Sequence, residues 1–281
     1  AILTNLLGIL LLSAACSGTS PNPGKRTEYD AANGTGTVED VPFVMKQIAA
    51  VTNGTLGHPY LEEDNPVRKV SLTAYQIGET EVTQELWQAV MGNNPSRFKG
   101  TNNPPAAREV QSKRPVEQVT WYECIAFCNE LTKRAHGGAS DVCVYYTDAA
   151  YTAVYTKTDA KDRKIPYADW SKKGFRLPTE AEWEWAAKGG TDDKWARADM
   201  HSKLEDYAWV SDTGADAKTH EVKKKKPNGY GLYDMTGNVA EWCWDWYGTI
   251  PDSPEADYTG AASGAHRVLR GGCWDSDVWG C

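Results

Sequence analysis

Apolar and polar positions alternate along VRKVSLTAYQIGETEVT, residues 67–83, then recur three and four apart in the QELWQAVM that follows. The first pattern predicts a half-buried strand and the second an amphipathic helix. Thr83 is placed to cap that helix, Leu86, Trp87, Val90 and Met91 make its buried stripe, and Gly92 stops it. The helical period returns in TWYECIAFCNELTKRAHG, where Thr120 and Glu123 have capping-box spacing and Trp121, Ile125, Cys128 and Leu131 share a face. A third copy of the signal, Thr179 with Glu182 after Pro178, opens a helix that ends at Gly189. VPFVM, from residue 41, is a leading strand, and residues 136–173 form a hairpin-like, surface-lying excursion between the second and third helices.

The apolar run AILTNLLGILLLSAA is too short to span a bilayer and ends in small residues before Cys16, as a secretory leader does. Leu12 to Cys16 resembles a relaxed bacterial lipobox. Residues 1–15 are therefore expected to be a signal peptide and Cys16 a lipidated N-terminus, followed to residue 40 by a polar tether; a plain signal peptide with Cys16 incidental is the alternative. Both readings export the chain, the first as a membrane-anchored lipoprotein at the cell surface whose only membrane contact is the lipid. A net charge of −8 leaves no cationic excess to neutralise phosphates, so nucleic acid is not an expected partner. The lysine run 223–226 reads as a solvated loop. In an oxidising compartment the six cysteines beyond Cys16 are able to pair, in a pattern the sequence leaves open. Cys124 and Cys128 share a helix face and read as packed free thiols. The five histidines are scattered, with no pair one helical turn apart, and read as exposed loop residues.

GETEVTQELWQAVMGNNPSRFKG, RPVEQVTWYECIAFCNELT, GFRLPTEAEWEWAAKGG, PNGYGLYDMTGNVAEWCWDWY and RVLRGGCW occur in this order. Together they resemble the formylglycine-generating enzyme, or sulfatase-modifying factor, family. The resemblance implies one domain over residues 41–281 with an α+β, irregular C-type-lectin-like fold, low in regular secondary structure, which in the family continues past the position of Cys281 to a closing strand. It does not settle function, because the fold carries enzymes and binders alike.

In the oxidases of that family, two cysteines after the RGG turn hold copper and convert a sulfatase cysteine to formylglycine. With Arg270, Gly271 and Gly272 fixed, those positions fall on Ser276 and Cys281. A hydroxyl is a poor ligand for Cu(I), so catalysis is not expected, and copper belongs only to the oxidase alternative, in which Cys281 would act. Relatives diversified by retroelements vary Asn-type codons after the same turn, and Asp275, Ser276 and Gly280 are each reachable from an Asn codon by changing adenines alone. The expected function is a ligand-binding scaffold that displays Asp275, Ser276, Asp277, Val278, Trp279 and Gly280 to an extracellular protein or glycan, with Trp274 buried beneath them; an ordinary drifted loop is the alternative. In the oxidases, positions matching Asn238 and Glu241 help hold Ca2+, with Asp245 a possible neighbour; the other reading has Asn238 satisfying its turn and Trp242, Trp244 and Trp246 packing the core.

Overall fold

The computed structural model describes residues 3–5, 24–58, 65–193, 201–251, 255–277 and 281. Its first strands are β1 (Leu3–Asn5), β2 (Glu28–Asp30), β3 (Thr35–Val38), β4 (Val41–Ile48), β5 (Val51–Leu56), β6 (Arg68–Leu72) and β7 (Tyr75–Gly78). Helix α1 (Gln84–Met91) and the long helix α2 (Trp121–Ala135) follow; then come β8 (Tyr145–Tyr146), α3 (Lys157–Lys161), β9 (Tyr167–Ala168), β10 (Phe175–Arg176) and α4 (Glu180–Lys188). The chain closes with a short helix α5 (His201–Leu204) and the pair β11 (Glu241–Trp246) and β12 (Arg267–Arg270). Short helices and small sheets joined by long irregular stretches make this the expected α+β architecture. Among the described residues the largest sheet has the order β10-β1-β7-β4-β3-β2, and its neighbours all pair antiparallel.

The helix boundaries follow from their caps. Thr83, Thr120 and Thr179 each accept the backbone N–H three residues on, and Glu123 and Glu182 return the bond to the second and third of these caps. Gly92 and Gly189 end α1 and α4 in the left-handed conformation. The predicted stripes are buried, except that Met91 stays half-exposed and Gln84 is buried in its place.

Three regions depart from the sequence reading. β2 and β3 lie inside the span expected as a tether, and they join the sheet through β4; Val38 is fully buried and Tyr29 stacks on Phe43. The backbone of Leu3–Asn5, inside the expected leader, pairs with both β7 and β10, while residues 1–2 and 6–23, with Cys16, lie outside the described part. The excursion 136–173 contains the expected hairpin, β8 with β9, and lies mostly at the surface, but it is anchored in the core: Cys143, Val144, Tyr145 and Tyr155 have no exposed surface. The cause is Asn129 on α2, fully buried, whose amide donates to the carbonyls of Tyr145 and Tyr155 at 2.8 and 3.0 Å while its Oδ1 accepts the Tyr145 N–H at 3.2 Å.

β11 separates two apolar cores. One is built from α1, α2, Tyr145 and Phe175; the other from β6, β7, α4 and β12, with Cys243 among them. Along EWCWDW the charged and thiol side chains are buried and the tryptophans half-buried, so the outer tryptophans have their own partners. Trp244 stacks on Tyr145 and meets Trp121 and Trp170 edge-on or tilted, and Arg267 lies over Trp121 and Trp246 at 3.8 and 3.5 Å.

Asn129→Ala should cost about 2–4 kcal/mol, since it removes three buried hydrogen bonds and strands the Tyr145 N–H and the Tyr155 carbonyl. Urea unfolding checks this through a lower midpoint at unchanged slope. A loss below about 1 kcal/mol would mean that the excursion packs without its tie to α2.

Candidate functional site at the terminal turn

β12 delivers the RGG turn to the surface, and Arg270 fixes its start. Arg270 pairs with Glu184 at 3.4 Å and Glu180 at 3.8 Å, and its guanidinium lies 5.4 Å from the Trp183 ring. Glu184 is buried and also meets Arg68 at 3.0 Å. Burial alone would raise the Glu184 carboxyl, but Arg270, Arg68, the Gly57 N–H and Asn65 hold it below the usual carboxylate value. The helix carrying Glu180 and Glu184 is itself tied to β11, because Asp245 Oδ2 accepts the Glu180 N–H at 2.8 Å.

Asn238 fixes the other side of the turn. Its backbone is left-handed, with φ of 61°. The side-chain oxygen accepts the His220 N–H at 2.8 Å, and the amide donates to Glu81 at 2.8 Å and to the His220 carbonyl at 3.2 Å. Its main-chain N–H donates to the Trp209 carbonyl at 2.7 Å, and its carbonyl accepts the Trp274 N–H at 3.0 Å. Gly237, just before it, has positive φ and lies so close to the Trp209 carbonyl that no Cβ fits.

His220 corrects the expectation of an exposed loop histidine. It is 2% exposed, its Nδ1 lies 2.9 Å from Glu109 and its Nε2 3.0 Å from the Ala215 carbonyl, and Trp209 stacks on the ring at 3.7 Å. The carboxylate partner is 111 residues away along the chain, so nothing local to His220 showed this.

From Gly272 the chain folds into a small closed turn. Cys273 N–H donates to Ser276 Oγ at 3.0 Å, Ser276 N–H donates to the Cys273 carbonyl at 2.9 Å, and Ser211 donates twice to the Ser276 carbonyl, at 3.0 Å each. Asp275 and Asp277 are exposed. Of the six residues expected at the displayed surface, Asp275, Ser276 and Asp277 are thus gathered on one turn, and Val278, Trp279 and Gly280 lie outside the described residues. Ser276 is only half-exposed, and its polar atoms serve the turn itself. Trp274 is not the fully buried residue expected: it is half-buried, and its edge meets the buried Phe98 at 5.2 Å, with Arg97 and Arg114 also over that ring. Phe98 falls within the first of the family motifs, but nothing local links it to a segment so far along the chain.

The Cys281 thiol is pushed up to about 12 by burial, with Cys273 and Asp277 adding to the shift. A hydroxyl at position 276, already engaged in closing the turn, does not fit a two-thiolate copper centre. At the calcium pair, Asn238 is engaged by protein groups on every polar atom and Glu241 is buried at the head of β11. Asp245 lies at the far end of that strand, bonded to α4. Among the described residues no group of three or more His, Cys, Asp or Glu side chains is placed to hold a metal. Cavities of about 290 and 760 Å³ open beside α1; residues 273–277 line neither of them.

Residues 35–280 match the family model described as the sulfatase-modifying factor enzyme 1-like domain. The chain is 34% identical over 229 residues to the chaperone protein LppX of Paenibacillus barcinonensis, covering 75% of this chain and 73% of that protein. It is 40% identical over 245 residues to the formylglycine-generating enzyme of Streptomyces coelicolor, covering 78% and 74%. Among solved structures, Treponema denticola variable protein 1 superposes with a TM-score of 0.75 at 51% identity, covering 86% of this chain and 88% of that one.

Asp245 generates a pH prediction. Burial raises its carboxyl to about 7, with Glu180 and Glu182 adding to the rise against the Glu180 N–H bond. The folded state therefore holds a proton that the unfolded chain, with an ordinary aspartate value of 3.8, gives up earlier. Stability is fully present below about pH 4, falls as pH rises toward 7, and levels above, the loss being at most on the order of 4 kcal/mol. Asp245→Asn should flatten this decline in urea midpoints taken from pH 4 to 8; an unchanged slope would assign the decline elsewhere. Motif order, fold and shared sequence agree, and the chain belongs to the formylglycine-generating enzyme, or sulfatase-modifying factor, family.

Proposed function

We propose that this domain is a ligand-binding scaffold of its family and not an oxidase, and that it presents the turn after Gly272 to an extracellular protein or glycan. The observation that carries the reading is the engagement of Ser276. Where the oxidase resemblance calls for a thiolate, a serine closes the turn through Cys273 and Ser211. That arrangement supports display of Asp275 and Asp277 on a rigid base. The kinship supports binding as well: one relative is named a chaperone and a close structural neighbour a variable protein. A lipid on Cys16 would hold the exported domain at a membrane surface. A Ca2+ drawn to Asn238 and Glu241 would act on the base of the turn and not on its displayed face.

The test uses the full chain. Incubation with Cu(I), O2 and a sulfatase-type cysteine peptide should give no aldehyde by mass, whereas turnover above background would restore the oxidase reading. The double variant Asp275→Ala/Asp277→Ala should unfold within about 0.5 kcal/mol of the parent per site, as exposed substitutions do. In a binding screen against immobilised extracellular proteins and glycans, the same variant should lose capture of whatever the parent retains. Equal capture by both would remove the turn from the binding surface.

A further inference from the structure

Three of the large apolar side chains exposed among the described residues lie in one short stretch of the excursion: Tyr151 at 43% exposure, Ile165 at 63% and Tyr167 at 44%. The backbone brings them together. Tyr167 on β9 pairs with Tyr146 on β8, whose ring meets that of Tyr151 at 5.4 Å, and the Tyr151 hydroxyl donates to the Ala168 carbonyl at 3.2 Å. Ile165 stands two residues before Tyr167 with the buried Pro166 between them, so both side chains point outward. The loop holding Ile165 is fixed from below. Tyr155, which has no exposed surface, donates its hydroxyl to the Lys164 carbonyl at 2.9 Å, and the amides of Arg163 and Lys164 donate to the carbonyls of Ala160 and Asp159. An aliphatic side chain is thus held out in water on a fixed base, beside two tyrosines.

The charge of the same stretch is opposite to that of the chain. The whole chain carries −8, but residues 157–164, KTDAKDRK, bring four basic side chains against two acidic ones. On α3, Asp159 and Ala160 are buried, and Lys157 and Lys161 are exposed one turn apart. Asp159 is taken by Lys164 at 2.7 Å, and the Lys157 ammonium donates to the Met91 carbonyl at 3.0 Å. Lys161 and Arg163 are exposed and have no carboxylate partner among the described residues; Asp162 between them is the one exposed acid of the run.

This combination selects the partner. A sugar site needs donors and acceptors free beside its aromatic rings, and the carboxylate of the Tyr151 turn is not free: Asp148 accepts from Ala150, Thr152 and Ala153. Tyrosine, with an apolar body and a polar tip, suits the boundary between lipid headgroups and acyl chains, and an isoleucine beside it reaches the acyl region. Lysine and arginine run their stems along apolar surface and leave the charge among phosphates. The potential of an anionic bilayer falls off within a Debye length, so it acts on the cations that touch it more than on the acidic remainder of the chain. We propose that Tyr151, Ile165 and Tyr167, framed by Lys161, Arg163 and Lys164, dock on an anionic lipid bilayer. This adds a protein contact with the membrane to the acyl group expected on Cys16, and it holds whatever the terminal turn binds.

The test uses the full chain carrying Cys16→Ala, so that no acyl group is present, with vesicles of phosphatidylcholine alone or mixed with phosphatidylglycerol. Acetylation of Lys161 by a water-soluble ester, read by mass and normalised to the exposed Lys69 of β6, reports the docked face. Anionic vesicles should slow it severalfold, neutral vesicles should leave it unchanged, and high salt should restore it. Ile165→Ser/Tyr167→Ser should lose the protection at an unchanged melting temperature, because both side chains are exposed. Arg163→Ala should lower the partition coefficient onto anionic vesicles about fivefold, the effect of one cation near such a surface. Sedimentation with the vesicles while Lys161 reacts freely would place the contact elsewhere, as in the apolar run of residues 1–15, and overturn the proposal. Absence of sedimentation would overturn it too. So would protection by soluble polyphosphate that survives Ile165→Ser/Tyr167→Ser, which would mark a polyanion as the partner.

Discussion

The left-handed Asn238 is the constraint on which the terminal surface depends. It collects segments that are far apart in the chain: Glu81 ahead of α1, the 209–220 stretch, and Trp274 of the terminal turn. Each bond satisfies a buried polar group that would otherwise cost free energy on the order of 1–3 kcal/mol. Asn tolerates this backbone conformation better than most residues, and its amide offers a donor and an acceptor side by side, which is the pairing His220 requires. Glu81, fully buried, is driven well above the usual carboxylate range by burial and by Asp234 and Glu241, and Asn238 gives it a neutral partner.

The second fixture is ionic. Arg270 leaves β12 and is caught by Glu184 and Glu180, so the turn that follows is held to α4 on one side and to Asn238 on the other. β11 runs between these fixtures with its charged face buried and its tryptophans supported by Tyr145, Trp121 and Arg267. Rigid elements thus surround a short polar turn. This is an arrangement in which side chains at the tip are free to differ while the base stays the same.

The helices were legible in the sequence because capping is local: a threonine, a glutamate three residues later and a closing glycine lie within one stretch of chain. The family was legible for a related reason, since its motifs are contiguous strings. The burial of Tyr145 and Tyr155 was not legible, because it depends on Asn129 reaching across from α2. The strands β2 and β3 were hidden by their polar, glycine-containing sequence, which turns into sheet only because β4 lies beside it. At the site, the exposure of Asp275 and Asp277 could be read from the turn's composition. Asn238 was marked as a turn residue, but its bonds to Glu81 and His220 are tertiary. The half-burial of Trp274 depends on Phe98, which no local pattern connects to it.

Native-state hydrogen exchange tests most directly whether a fixed base carries a free turn. The amides of His220 and Trp274 both donate to Asn238, and the account predicts that they exchange only through global unfolding, with opening free energies equal to the stability measured by urea. The exposed Asp275 amide should exchange close to the rate of an unstructured peptide. A Trp274 amide that exchanges as fast as that of Asp275 would contradict the account, because the base would then open together with the turn it is said to hold.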